Sequence, residues 1–414
     1  MVLEFHKLTG QVDQMGSYLA SQEQENHDKI ELALSIMEAH AHPDALPYIL
    51  DRVQQAVARD AGYRGARPLD EPIMDSYMAA NLPERATLIA TDGSQVYPNE
   101  HNAAQYYLIN IGTIIVPHGT NQIPEILIEP YLFYDSIYLY QNGEGLITNR
   151  VINARRQVYE MSALAEHAWH QREAAEPLIT LQDGPLLFVM GREVPERLQL
   201  LKLYFSAMDR LAGINAGLAG YTDVPGSTFM VRLLHLLTLE PEHVTRTSLS
   251  HSGKLQGLYD RFLYAHLLGP AERSPLFVQM SPQNKEFRNT GGDDLEIAFF
   301  YLNVAGPDER PHVVRVDIPM WVTKNRMLIS QMQALLYHQC QQITKRYPYV
   351  LMRADELATV RSDESRQLDM MIKVAMLRNG LDVADSAKQM SKMIGRAGKS
   401  RFDMNRWSGK SKRG

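Results

Sequence analysis

The sequence predicts a mixed α/β core preceded by a helical N-terminal segment, and three observations carry that reading. Residues 1–80 repeat apolar side chains three and four positions apart, the period of an amphipathic helix. From about Ala86 the pattern changes to short runs rich in Ile, Tyr and Val, broken by Pro, Gly and Asn, as strands are. Strand-like and helical runs then follow one another to about residue 380, an order that builds a sheet covered by helices.

Taken in order, HDKIELALSIMEAH sets Ile30, Leu32, Leu34 and Met37 on helical spacing. ATLIATDG, YYLINIGTIIVP and EILIEPYLFYD read as strands. Residues 150–172, RVINARRQVYEMSALAEHAWHQR, return to helical periodicity, and LITLQDG is a buried strand. A long helix, VPERLQLLKLYFSAMDRLAGIN, leads through the turn-rich AGYTDVPGS to a further helix, FMVRLLHLLTL. LEIAFFYLNVA and HVVRVDIPMWV add strands, and helices near 324–346 and over SDESRQLDMMIKVAMLRNG close the pattern. The chain divides into a helical extension over 1–80, a core over 81–387 and a basic tail over 388–414.

The 414 residues suffice for a large core, and their 45% hydrophobic and 22% charged content is that of a soluble globular protein. No apolar run is long enough to span a bilayer, and MVLEFHKLTGQ lacks the basic-then-apolar order of a signal peptide. The single cysteine, Cys340, excludes an internal disulfide and a cysteine-built zinc site, so the expected location is the cytoplasm. The net charge of −6 conceals an asymmetry. Residues 388–414 hold nine Lys/Arg and one Asp, a local +8, which leaves −14 on the rest. Such a tail is either an arm for a polyanion or a solubilising segment.

The chemistry concentrates in two strand-like runs that each lead into Asp-Gly: LIATDG, with Asp92-Gly93, and LITLQDG, with Asp183-Gly184. Two carboxylates at strand ends of one sheet would hold Mg²⁺ or Mn²⁺, hard cations that take oxygen ligands and keep positions open for water and phosphate. The helix between them offers Glu160 or Glu166 as a third ligand, after Arg155-Arg156. The competing reading is that each Asp-Gly marks a β-turn. Other motifs carry less. His40 and His42 of AHAHPD close a helix before Pro43, so a capping or solvated role is expected. The GKS triplets at 398–400 and 409–411 lack the glycine and strand of a P-loop. Tyr221 and Arg315 could meet phosphates, against the simpler roles of a packing tyrosine and a surface ion pair. Trp321 and Tyr301 belong to the core.

The ordered blocks TDGSQVYPNEHNAAQYYLINIGTI, RRQVYE, LITLQDGPL, LAGYTDVPGSTFMVRLLHLL, RVDIPMW and YPYVLMRADELA together resemble the NurA nuclease family, from about Ala86 to Leu381. The resemblance implies an RNase H-like mixed sheet with flanking helices and a Mn²⁺-dependent DNA nuclease, with Mg²⁺ as the other candidate ion. It further implies 5′→3′ exonuclease and single-strand endonuclease activity, a homodimer, and a HerA-type hexameric ATPase partner in DNA-end processing and double-strand break repair. The family's metal aspartates fall on Asp92 and Asp183. Its glutamate falls on Glu160 by the RR-x-x-x-E pattern, the preferred third ligand beside Asp92 and Asp183, and on Glu166 by counting back from Asp183. The family's Tyr-Pro, apolar run and Ala-His appear here as YPYVLMRADELA, with Asp355 in place of the histidine. Asp355 is thus a further catalytic candidate, or else the N-cap of a helix that carries Glu356 and Leu357. Two alternatives to an active deoxyribonuclease remain in view: an impaired scaffold that still binds DNA and the ATPase, and an RNA-cleaving enzyme on the same core.

Overall fold

A computed structural model describes residues 4–99, 102–141, 145–174, 176–191 and 194–381. Two helices, α1 (Thr9–Glu38) and α2 (Leu46–Arg59), come first. The core begins with three antiparallel strands, β1 (Ala86–Val96), β2 (Tyr107–His118) and β3 (Glu125–Phe133). Helix α3 (Asn149–His170) then crosses to β4 (Leu178–Asp183), and α4 (Arg197–Gly213) crosses to β5 (Gly217–Thr222). Both β4 and β5 extend the sheet in parallel, giving the order β3-β2-β1-β4-β5. This is an RNase H-like core.

Helix α5 (Phe229–Thr238) follows, and β6 (Ile297–Asn303) and β7 (Val313–Pro319) then prolong the sheet beyond β5 by antiparallel pairing. Helices α6 (Arg326–Gln341), α7 (Tyr349–Ala358) and α8 (Ser362–Arg378) complete the described chain. Strand alternation separates two cores. Ile89, Ile109 and Ile111 face α3 and α4, meeting Ile152, Met161, Leu164 and Met208. Leu88, Ala90, Ile179 and Leu181 face α6 and α7, meeting Met332, Leu335, Val350 and Ala354. A third cluster joins α1, α2 and α5 through Ile30, Met37, Val53, Leu233 and Leu237.

Three local readings change. Helix over 1–80 stops at Arg59, and Ala66–Pro68 and Tyr77–Met78 are short strands of the main sheet, Ala66–Pro68 pairing with Phe277–Gln279. Pro68 and Pro72, each lacking an N–H, are incompatible with a continued helix there. The β-like run HVVRVDIPMWV ends at Pro319, and Met320–Thr323 form a helical turn. β1 does not end at Asp92-Gly93 but runs to Val96, because β2 goes on pairing with it as far as Leu108. Among the described residues no helix is long and apolar enough to cross a membrane. The 388–414 tail and its GKS triplets lie outside the described residues.

Helix α7 lies directly on β2 at Gly112, the residue opposite Asp92. A Cβ there would stand 2.5 Å from the Ala358 nitrogen and 2.7 Å from the Ala354 oxygen. Helix backbone cannot rotate aside as a side chain does. Gly112→Ala is therefore expected to destabilise the protein by about 2 kcal/mol or more, read as a lower urea midpoint, through overpacking of a close-packed interior. An unchanged midpoint would show that α7 sits further from the sheet.

Candidate active site

The parallel ladder between β1 and β4 ends with Thr91 opposite Gln182. The next residue on each strand is an aspartate, so Asp92 and Asp183 stand level at the same edge of the sheet. β4 stops at Asp183, and Gly184 turns away with φ +82°. Asp92 marks the point where β1 loses its parallel neighbour while keeping β2. By alternation both aspartates lie on the face that packs against α6 and α7. Tyr347, just before α7, donates its hydroxyl to Asp183 Oδ1 at 2.8 Å. Its ring stands edge-on to the buried ring of Tyr221.

Glu160 reaches the same edge from α3, on the opposite face, and is only 4% exposed. Gly93 makes that approach possible: a Cβ at this position would lie 2.6 Å from Glu160 Oε1 and 2.9 Å from Arg156 Cγ. Arg156 Nη1 donates to the Gly93 carbonyl and to Glu160 Oε1, each at 2.7 Å, and lies 3.9 Å from Asp92 Oδ1. Glu166 is elsewhere. Six residues further along a helix point to a different side, where its 57% exposed side chain pairs with His170 and Arg210. Arg155 also turns away, bonding Glu196 and the Tyr107 hydroxyl.

The electrostatics follow from burial of like charges. Burial pushes the Asp92 carboxyl up to about 6, against Arg156, with Asp183 and Asp355 adding to the rise. Burial pushes Glu160 up to about 8, again opposed by Arg156. Asp183 is raised by burial, and the Tyr347 and Gly184 hydrogen bonds resist that shift. Asp355 is not an N-cap. Helix α7 begins at Tyr349 after Pro348, which places Asp355 well inside it, exposed, with its charge felt at Asp92 and Asp183.

Among the described residues no three His, Cys, Asp or Glu side chains are gathered closely enough to hold an ion as they stand. The donors nevertheless fit a hard divalent cation. Asp92, Asp183 and Glu160 offer only carboxylate oxygens, and burial, with neighbouring acids adding to it, makes all three hold protons more tightly than usual.

The remaining sequence candidates have structural surroundings. His42 caps the short turn Pro43–Ala45 through the Asp44 N–H, and His40 bonds the Ile36 carbonyl. Tyr221 is fully buried. Arg315 and Asp317 form a buried pair rather than a surface one, with the guanidinium 4.2 Å from the centre of the Phe299 ring. Tyr301 is buried and donates to Asp260, while Trp321 is half-buried and donates to the Ala216 carbonyl. Sequence reasoning gave no role to Gly93, and Tyr347 stood out only as part of the Tyr-Pro motif. No local signal reveals which strand or side chain either residue meets.

The NurA domain profile matches residues 86–360, from the first residue of β1 to just past α7. The chain belongs to the NurA family. No curated protein sequence shows significant similarity to this NurA-family chain. Among solved structures it is similar to the NurA nuclease from Sulfolobus solfataricus, at 11% identity and TM-score 0.48, over 92% of this chain and 98% of that one. A NurA bound to dAMP and manganese matches at 11% identity and TM-score 0.35, over 70% and 88%. The catalytic domain of human endonuclease V matches at 15% identity and TM-score 0.30, over 69% and 84%.

The raised carboxyls give a signed pH dependence. The folded protein keeps protons that the unfolded chain has already released, so stability present at acid pH is lost as pH climbs through about 6 for Asp92 and about 8 for Glu160. In EDTA at pH 8, Asp92→Asn should melt above wild type, by on the order of 1 kcal/mol, and the gap should close near pH 4. A variant that melts below wild type at pH 8 would mean that the Asp92 charge is compensated in the fold.

Proposed function

We propose that this NurA-family protein is a divalent-metal-dependent deoxyribonuclease whose ion is held by Asp92, Asp183 and Glu160. The observation that supports it most is the β1–β4 register, which sets Asp92 and Asp183 level at one sheet edge with Glu160 beside them. Mn²⁺, or Mg²⁺ in its place, would supply there an activated water and charge stabilisation for a phosphodiester under attack. The chain's own residues do the arranging. The Tyr347 hydrogen bond fixes the rotamer of Asp183, and burial on α3 holds Glu160. Affinity for DNA would come from Lys/Arg contacts to phosphates, and the tail over 388–414 is the most basic stretch available.

On the same reading the activity is of the 5′→3′ exonuclease and single-strand endonuclease type, in DNA-end processing. The chain would work as a homodimer with a HerA-type hexameric ATPase. Exposed apolar surface supports a partnered state: Ile126, Ile128 and Leu132 project from the edge strand β3, and Met370, Met371 and Leu377 from α8, which buries none of its residues. A second reading, a scaffold that binds DNA without cutting it, is favoured by one feature. Asp355 puts an acid where the family has a histidine and cannot supply a cation to phosphate.

Incubation of labelled single- and double-stranded DNA and RNA with Mn²⁺, Mg²⁺ or EDTA separates these readings. The nuclease reading expects DNA cleavage that EDTA abolishes. Asp183→Asn and Asp92→Asn should each lower the rate by about a hundredfold or more while changing DNA affinity little, since catalysis and phosphate contacts use different groups. DNA binding without cleavage would select the scaffold. Cleavage of RNA alone would select the ribonuclease, and full activity in either variant would remove the site.

A further inference from the structure

We propose that Arg156 is a resident cation of the carboxylate cluster, with which any divalent ion must compete, so that this side chain sets how much metal the protein requires. The inference rests on the metal-nuclease reading of the same carboxylates. One guanidinium nitrogen, Nη1, bonds Glu160 Oε1 and the Gly93 carbonyl at 2.7 Å each and stands 3.9 Å from Asp92 Oδ1. It therefore sits among the oxygens that an ion would share. The placement is built in. Arg156 and Glu160 are one helical turn apart on α3, and Gly93 leaves room for the stem of one and the carboxylate of the other. Asp92 and Glu160 each feel Arg156 as the main positive charge in their surroundings.

The arrangement has a definite consequence. Without metal, Arg156 offsets charge that burial makes costly, and Glu160 is the carboxylate it engages most closely. A divalent ion must draw Glu160 away from that pair, and the guanidinium must leave or remain as a like charge beside it. Both effects weaken metal binding. Arg156 thus acts on the ligands as a positioning residue that keeps the site closed at low metal concentration. The neighbouring Arg155, committed to Glu196 and Tyr107, provides an internal contrast.

Direct Mn²⁺ titration of the full chain, by calorimetry or by the loss of the free-ion paramagnetic signal, tests this. Arg156→Gln should bind Mn²⁺ about tenfold more tightly than wild type, since a cation close to the ion has been removed. The same variant should melt at lower temperature in EDTA and gain more on Mn²⁺ addition. A purely structural role would lower the melting temperature and leave Mn²⁺ affinity unchanged. Should Arg156→Gln not fold, Arg156→Lys serves. A strongly hydrated ammonium on a flexible stem leaves Glu160 more readily than the guanidinium, so Mn²⁺ should bind several-fold more tightly than in wild type. Mn²⁺ affinity equal to or weaker than wild type in the folded variant overturns the proposal while the nuclease reading stands. A wild-type protein that takes up no Mn²⁺, alongside an Asp183→Asn control that also takes up none, removes both.

Discussion

The parallel pairing of β1 with β4 is the contact on which the candidate site depends. Its ladder ends at Thr91 and Gln182, and the two aspartates that follow are level because the strands run the same way in that register. A one-residue slip would turn one of them to the other face of the sheet. The pairing itself rests on what flanks it. Helix α3 completes the long connection that two parallel neighbours require, and buried residues on both faces of β1, Ile89 on one and Leu88 and Ala90 on the other, hold it inside the sheet.

Around this register, close approach is bought with glycine. Gly93 admits Glu160 and Arg156 from α3, and Gly112, directly across the β1–β2 ladder from Asp92, admits the backbone of α7. The two helices approach from opposite faces and bring charges of different consequence. From α3 come an acid and its counter-ion; from α7 comes the exposed Asp355, whose charge is felt at Asp92. The folded chain thus gathers carboxyl groups that burial makes costly to ionise, which the proposed metal-binding role would explain.

The acids were legible because they stand in local patterns. A strand-like run followed by Asp-Gly marks Asp92 and Asp183, and RR-x-x-x-E marks Glu160. Where the reading went astray, the cause was a partner distant in sequence. Asp92-Gly93 looks like the end of a strand, yet β2 carries β1 on to Val96, so the glycine serves helix approach rather than a turn. Asp355 has the composition of a helix cap, yet Pro348 had already begun the helix. Arg315 and Asp317 look like a surface pair and are buried, because β7 is an interior strand with β5 on one side and β6 on the other.

Sequence by itself determined the class of fold and most of the succession of strands and helices, and it singled out the carboxylates proposed to act, since each of these follows from periodicity or from neighbours a few residues away. It favoured Glu160 over Glu166 on the RR-x-x-x-E pattern alone, because both lie on one helix and counting along the chain cannot say which side faces the sheet. Tertiary structure decided that by the position of Gly93, and it placed the Tyr347 hydroxyl on Asp183 across an interval of 164 residues. It also singled out Arg156 over Arg155, two identical side chains about 100° apart around a helix axis, one turned to the acids and the other to Glu196. Which face of a helix is buried depends on what it packs against, and that partner is supplied by the fold.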